Sequence, residues 1–243
     1  MPAVRAAAGA VAFLTRVPIG RFVALDAADI ARGAILFPVV GLGIGAAVGG
    51  VADAVAGPLT AALAAILAVG LGAALTGALH LDGVADTADA LGATTRERAL
   101  EIMRDHQIGA YGAVALVLDL ALKIAAVSVL AARGDALRFV ACSVAVARVV
   151  PVLLGVTLPY ARAQGTGGLL TTAGRRSAAG ALAVAVALCF ALGAPWLAVV
   201  AVVSAVVCGG VAYAWLGGVT GDVLGASAEV TELAALVLAV ALT

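Results

Sequence analysis

Three aspartates, Asp82, Asp86 and Asp89, in the stretch HLDGVADTADALG (80–92) are the residues of this chain most suited to chemistry. Their i, i+4, i+7 spacing places all three on one face if the segment is helical. Like charges on one helix face repel by a few tenths of a kcal/mol per pair, so something positive should offset them. An all-oxygen set of this kind suits Mg²⁺, which is commonly held by one or two carboxylates together with substrate phosphates and water. The bland alternative is an acidic, solvated helix end. Gly83 beside the first acid permits close approach of another backbone or a ligand. His80 is either a polar residue at an interface or a proton acceptor.

A second acidic stretch, GDVLGASAEVTEL (221–233), carries Asp222 and Glu229 seven apart and Glu232 one turn further on. Residues 216–232, read as a loop, hold no lysine or arginine, which favours a bound cation there. Arg104 and Asp105 lie just before the apolar run that starts at Ile108, as candidates for phosphate and metal contact. Thr94 and Glu97 form a T-x-x-E capping box that predicts a helix from about Thr95, with Arg96, Glu97, Arg98 and Glu101 on its solvated side. Asp119, Lys123 and Arg148 lie inside apolar runs. The first two are i, i+4 and can pair, while Arg148 has no acid near it in sequence and would reach either Asp119 or a phosphate.

The elements that must position these groups are set by composition. Of 243 residues, 64% are hydrophobic and 12% charged, and the mean hydropathy is +1.19. Soluble domains carry about 25% charged residues, so this is a membrane chain. The net charge of zero gives no footprint for nucleic acid. A spanning helix needs about 20 apolar residues. Runs of that kind cover Ala34–Gly57, Leu59–Leu79, Ile108–Ala132, Ala136–Leu158 and a double run from Ser177 to Gly218 that GAPW (193–196) divides. A weaker seventh covers Leu233–Thr243. The expectation is an all-α, polytopic helical bundle of six to seven transmembrane helices with short interfacial helices, in a single domain over residues 1–243. Residues 3–15 should form a short helix at or partly in the membrane. Gly41, Gly45 and Gly49 make a GxxxGxxxG packing face. Cys142, Cys189 and Cys208 lie in apolar runs at spacings that fit no zinc site or disulfide framework.

Under six alternating spans, ten arginines fall on one side (Arg5, Arg16, Arg21, Arg32, Arg96, Arg98, Arg104, Arg162, Arg175, Arg176) and two, Arg133 and Arg138, on the other. The positive-inside rule then puts the first side in the cytoplasm. Both acidic stretches share that side, so acids and arginines should converge at one cytoplasmic mouth.

Taken together, FLTRVPIG (13–20), FPVVGLGIGA (37–46), LTGALHLDGVADTADALG (75–92), ERALEIMRDHQIGAYG (97–112), PYARAQGTG (159–167) and GDVLGASAEVTEL (221–233) resemble the cobalamin synthase, or adenosylcobinamide-GDP ribazoletransferase, family in family order. The resemblance implies a Mg²⁺-dependent enzyme of the inner membrane that joins adenosylcobinamide-GDP to α-ribazole or its 5′-phosphate and releases GMP. On that reading the metal ligands are drawn from Asp82, Asp86, Asp89, Asp222 and Glu229. Arg16, Arg104, Arg148 and Arg162 would hold substrate phosphate. The hydroxyl proton would go to Asp105, Asp222 or His80, a choice the sequence leaves open, and Asp82 would act in catalysis as well as in metal binding. A homo-oligomer, or association with other cobalamin-assembly enzymes, is compatible with such a chain. The competing reading is a transporter or channel with an ion path through Asp119, Lys123 and Arg148. Against it, the acids cluster at one interface and no inverted repeat is apparent. A membrane scaffold without catalysis would not need three acids on one face.

Overall fold

A computed structural model describes residues 2–105, 107–162, 165 and 167–243. Apart from two short 3₁₀ helices, Ile19–Arg21 and Ala34–Leu36, and a single β-bridge between Tyr160 and Val219, every regular element among them is an α-helix. The α-helices are α1 (Pro2–Leu14), α2 (Ala27–Gly33), α3 (Phe37–Ala56), α4 (Ala61–Thr76), α5 (Leu79–Ala90), α6 (Arg96–Ile102), α7 (Ala110–Arg133), α8 (Ala136–Ala147), α9 (Val150–Thr157), α10 (Gly168–Thr171), α11 (Gly174–Ala191), α12 (Leu197–Leu216) and α13 (Gly221–Leu242). Six helical stretches are long and apolar enough to cross a membrane, and α4 with α5 reaches that length only as a pair bent by 91°. The all-α polytopic bundle expected from composition is what the chain forms.

The glycine repeat works as its spacing predicts. A methyl group on Gly41 would lie 2.8 Å from the Val144 carbonyl oxygen, and one on Gly45 would lie 2.6 Å from that of Val140. Gly49 meets the Ala136 carbonyl in the same way, so α3 and α8 pack backbone to backbone. In lipid, where burial of apolar surface gives no drive, such close approach is what holds helices together.

Three expectations change. The run Leu59–Leu79 does not continue straight: α4 stops at Thr76, and α5 leaves at 91° to it. Gly77 (φ 64°) and Ala78 (φ 57°) are both left-handed at this corner, a conformation in which an alanine costs about 1–2 kcal/mol. Residues 216–232 are not a loop with a weak span after it. Thr220 caps Val223 N at 3.2 Å, and α13 then runs unbroken to Leu242, so Asp222, Glu229 and Glu232 all belong to one spanning helix. The capping residue of α6 is Thr95, which accepts from Arg98 N at 3.2 Å, rather than Thr94.

Hydrogen bonds fix which connections share an end. At one end, Arg16 N donates to Leu75 O (2.8 Å), Arg96 Nε to Leu216 O (2.6 Å), and Arg162 Nη2 lies 2.7 Å from Asp222 Oδ2. At the other, Asp53 accepts from Ala136 N and Leu137 N (3.1 and 2.8 Å), Arg138 Nε donates to Leu192 O (2.6 Å), and Arg133 Nη1 to Val240 O (3.1 Å). The first end is the one that carries α5 and the start of α13.

Candidate active site

The 91° corner turns α5 across the end of the bundle instead of through it, and α5 then packs on the first turns of α13. The crossing is made by glycine. A methyl on Gly83 would fall 2.6 Å from the Asp222 carbonyl oxygen and 3.1 Å from Gly225 Cα. This contact brings Asp82 and Asp86 of α5 toward Asp222 of α13. Burial first, then the neighbouring Asp82 and Asp222 carboxylates, raise the Asp86 carboxyl above the usual range. Acids crowd here as the sequence implied, although one comes from a distant segment.

Arg162 joins them through a small staple. Val219 N donates to Pro159 O (2.9 Å) and Ala161 N to Val219 O (2.8 Å), which pins residues 159–161 to the turn before α13. Arg162 then lies against Asp222. Ala163, Gln164 and Thr166 of the PYARAQGTG motif lie outside the described residues. Arg16 arrives from the end of α1, its side chain filling the space beside Gly77, and it lines an open pocket together with Asp82. His80 is 4% exposed, its Nδ1 has no partner among the described residues, and it lines a second pocket with Asp82 and Asp222. So Asp82, Asp86, Asp222, His80, Arg16 and Arg162 converge.

The remaining candidates lie elsewhere. Asp89 sits seven residues beyond Asp82, about 10 Å along a helix, and its two oxygens accept from Gly109 N (2.7 Å) and Gly112 N (2.8 Å) at the start of α7. That is an anion at a helix N-terminus, where it is stabilised. Arg104 and Asp105 are exposed; Asp105 accepts from Gln107 N (3.1 Å) and shares a pocket with Asp89, not with Asp82. Glu229 shares a helix face with Asp222 but not a depth: it is buried and paired with Lys123.

Glu229 belongs to a second cluster inside the bundle. Lys123 Nζ is 3.5 Å from Asp119 Oδ2 and 3.2 Å from Glu232 Oε1, and Arg148 Nη1 is 3.1 Å from Glu232 Oε2. The Asp119–Lys123 pair is the one expected. The partner of Arg148, left open between Asp119 and a phosphate, is Glu232. These charges answer one another rather than the acids on α5.

Two residues that shape the site gave no sequence signal: Leu116 and Leu120 wall the Arg16 pocket yet read as ordinary apolar positions in a helix. Phe13, Gly167 and Gly221, which also line the pockets, lie in the quoted motifs but carry no chemistry that would have singled them out.

The chain matches the cobalamin-5-phosphate synthase family over residues 6–240. Among curated proteins it is similar to the adenosylcobinamide-GDP ribazoletransferase of Shigella flexneri, 39% identical over 230 residues, which is 91% of this chain and 93% of that protein. It is also similar to the protein of that name from Escherichia coli O139:H28 (strain E24377A / ETEC), at 38% over 231 residues and the same shares. No solved structure matches it. With nearly its whole length matched by the family model and by relatives at 38–39% identity, the chain belongs to the cobalamin-5-phosphate synthase family.

Proposed function

We propose that this membrane transferase joins adenosylcobinamide-GDP to α-ribazole or its 5′-phosphate, releasing GMP, at the acidic end of the bundle. The observation that carries the site is the convergence of Asp82 and Asp86 with Asp222 and Arg162 across the Gly83 crossing. The ribose hydroxyl oxygen forms a bond to the phosphorus that bears the cobinamide arm. The bond from that phosphorus to the bridging oxygen breaks, and GMP leaves with the oxygen and its electron pair. The hydroxyl proton passes to a nearby acceptor, for which His80 and Asp222 are the candidates beside Asp82; Asp105 is set apart with Asp89.

The donor set fits Mg²⁺. It is oxygen only, and Asp82 and Asp86 make no hydrogen bond or ion pair through their side chains among the described residues. No three His, Cys, Asp or Glu side chains among those residues enclose an ion by themselves. An ion that keeps water and substrate oxygens in its shell does not need them to. Asp82 and Asp86 would hold it, with Asp222 alongside, and when bound it would supply neutralisation of diphosphate charge. Arg16 and Arg162 offer forked donors to phosphate oxygens. Asp89 holds the entry of α7 in place, and the Arg148 and Glu229 charges stabilise the bundle beneath.

The arginine count supports a cytoplasmic position for this end. The deciding experiment incubates the purified protein with adenosylcobinamide-GDP and α-ribazole, with and without Mg²⁺. Cobalamin and GMP formed only with the metal are expected, and no product under either condition would refute the reading. Single cysteines at Thr95 and Thr172, in a background lacking Cys142, Cys189 and Cys208, should resist an impermeant thiol reagent from outside, while one at Asp135 is labelled.

A further inference from the structure

The space at the acidic end is divided by α5, and the geometry points to a different substrate on each flank: the corrinoid nucleotide on the α7 side, and the ribonucleoside acceptor on the opposite side, where the start of α13 faces α9 and α10. This rests on the transferase reading above. Leu81 and Ala85 line the first compartment, and His80 and Gly83 the second. At 3.6 residues per turn these pairs fall on opposite flanks of the helix. Asp82 lies between them and lines both.

Size separates the two. The first compartment has an empty volume of about 1150 Å³ and the second about 640 Å³. A corrin macrocycle carrying a nucleotide is several times larger than a single nucleoside, and the larger compartment is the better match for it. Both compartments have apolar walls, with Phe13 and Leu79 shared between them, and they differ in their polar groups. Arg16 lines only the larger one, as a cation for the diphosphate. In the smaller one Gly167 and Gly221 leave a slot with no side chain at those positions, which suits a flat heteroaromatic base. His80 and Asp222 stand along it for the ribose hydroxyls.

The reaction needs this division. In phosphoryl transfer the attacking and leaving oxygens lie roughly in line on opposite sides of phosphorus. A donor held on one flank of α5 and an acceptor on the other meet that demand at the Asp82 boundary.

The test is a double dissociation in the full-length protein. Leu116→Trp fills the larger compartment, and Ile108→Trp, at an exposed position, does so without burdening the core. Gly221→Val narrows the slot, where a methyl would meet nothing nearer than 3.6 Å; Gly221→Ala is the milder form. The tryptophan variants should raise KM for adenosylcobinamide-GDP by about tenfold and leave KM for α-ribazole within about twofold, and the Gly221 variants should do the reverse. Binding of adenosylcobinamide-GDP without acceptor, followed by corrin absorbance, should weaken in Ile108→Trp and not in Gly221→Ala. Active variants that all raise KM for the same substrate, or that show the opposite pattern, overturn the assignment alone. A wild-type protein that binds corrinoid but transfers nothing overturns the transferase reading and the assignment with it.

Discussion

One helix carries acids of two kinds. Asp222, in the first turn of α13, faces Arg162 and the α5 acids beside a pocket. Glu229 and Glu232, two to three turns deeper, are buried against Lys123 and Arg148. At the end of the bundle, Asp82 and Asp86 form no ion pair among the described residues, and Asp82 lines two open pockets. Inside it, each carboxylate has a cation within 3.5 Å. A buried charge in a bilayer must be paired, because the surroundings offer it nothing else. Acids left crowded at a pocket are available to a ligand. The difference teaches that counting acids on a helix face does not find a site; depth and pairing do.

Breaking the deeper cluster should have the largest effect. Lys123→Met leaves three acids with only Arg148, and removing one partner of a buried pair costs about 3–5 kcal/mol. The expected outcome is a large drop in the Tm of the detergent-solubilised protein, recovered in good part by adding Glu229→Gln. A Lys123→Met protein of normal Tm that lacks transfer activity would instead move this cluster into the reaction.

At the pocket the sign of the experiment reverses. Asp82→Asn should keep its membrane yield and Tm but lose transfer by about 10²-fold or more, the scale of removing one electrostatic group from a reacting centre. Asp86→Asn should follow it and shift the Mg²⁺ dependence to higher concentration. Wild-type rates for both at limiting Mg²⁺ would dissolve the contrast.

Asp89 tests the border between the two behaviours. As an acceptor for the start of α7, it should cost about 1.5–3 kcal/mol on replacement by alanine, the range for hydrogen bonds to a charged group. The Mg²⁺ concentration for half activity should not change. A shifted metal dependence would return Asp89 to the ligand set. Smallest of all, Thr95→Ala should lower Tm by the equivalent of about 1 kcal/mol through a lost helix cap, and Thr94→Ala should do nothing measurable.

Arginine shows how readable residues acquire unreadable jobs. Arg133 and Arg138 enter the sidedness count as two basic residues on the minor side. In the structure they donate to the carbonyls that end α13 and α11, and Arg96 does the same for α12. Cations at helix C-termini satisfy orphan carbonyls and oppose the helix dipole. Nothing in the spacing of those arginines names the helices they close, because the partners lie 54 to 120 residues away.

By itself the sequence determined that this chain is a helical membrane protein, since composition and run length are local properties and lipid admits few other forms. It also determined the α3 packing face, the Asp119–Lys123 pair and the identity of the acidic motifs, all carried by residues within a few turns of each other. Only the tertiary structure decided which acids meet. Two left-handed residues, one of them an alanine with no signal of its own, turn α5 through 91°. Gly83 then lets α5 touch α13 some 140 positions away, which joins Asp222 to Asp82 and Asp86. The same continuous α13 carries Glu229 down into the bundle toward Lys123. Periodicity assigns a face, but not the depth along an axis or the angle between axes, and those two quantities divide the acids into a site and a scaffold.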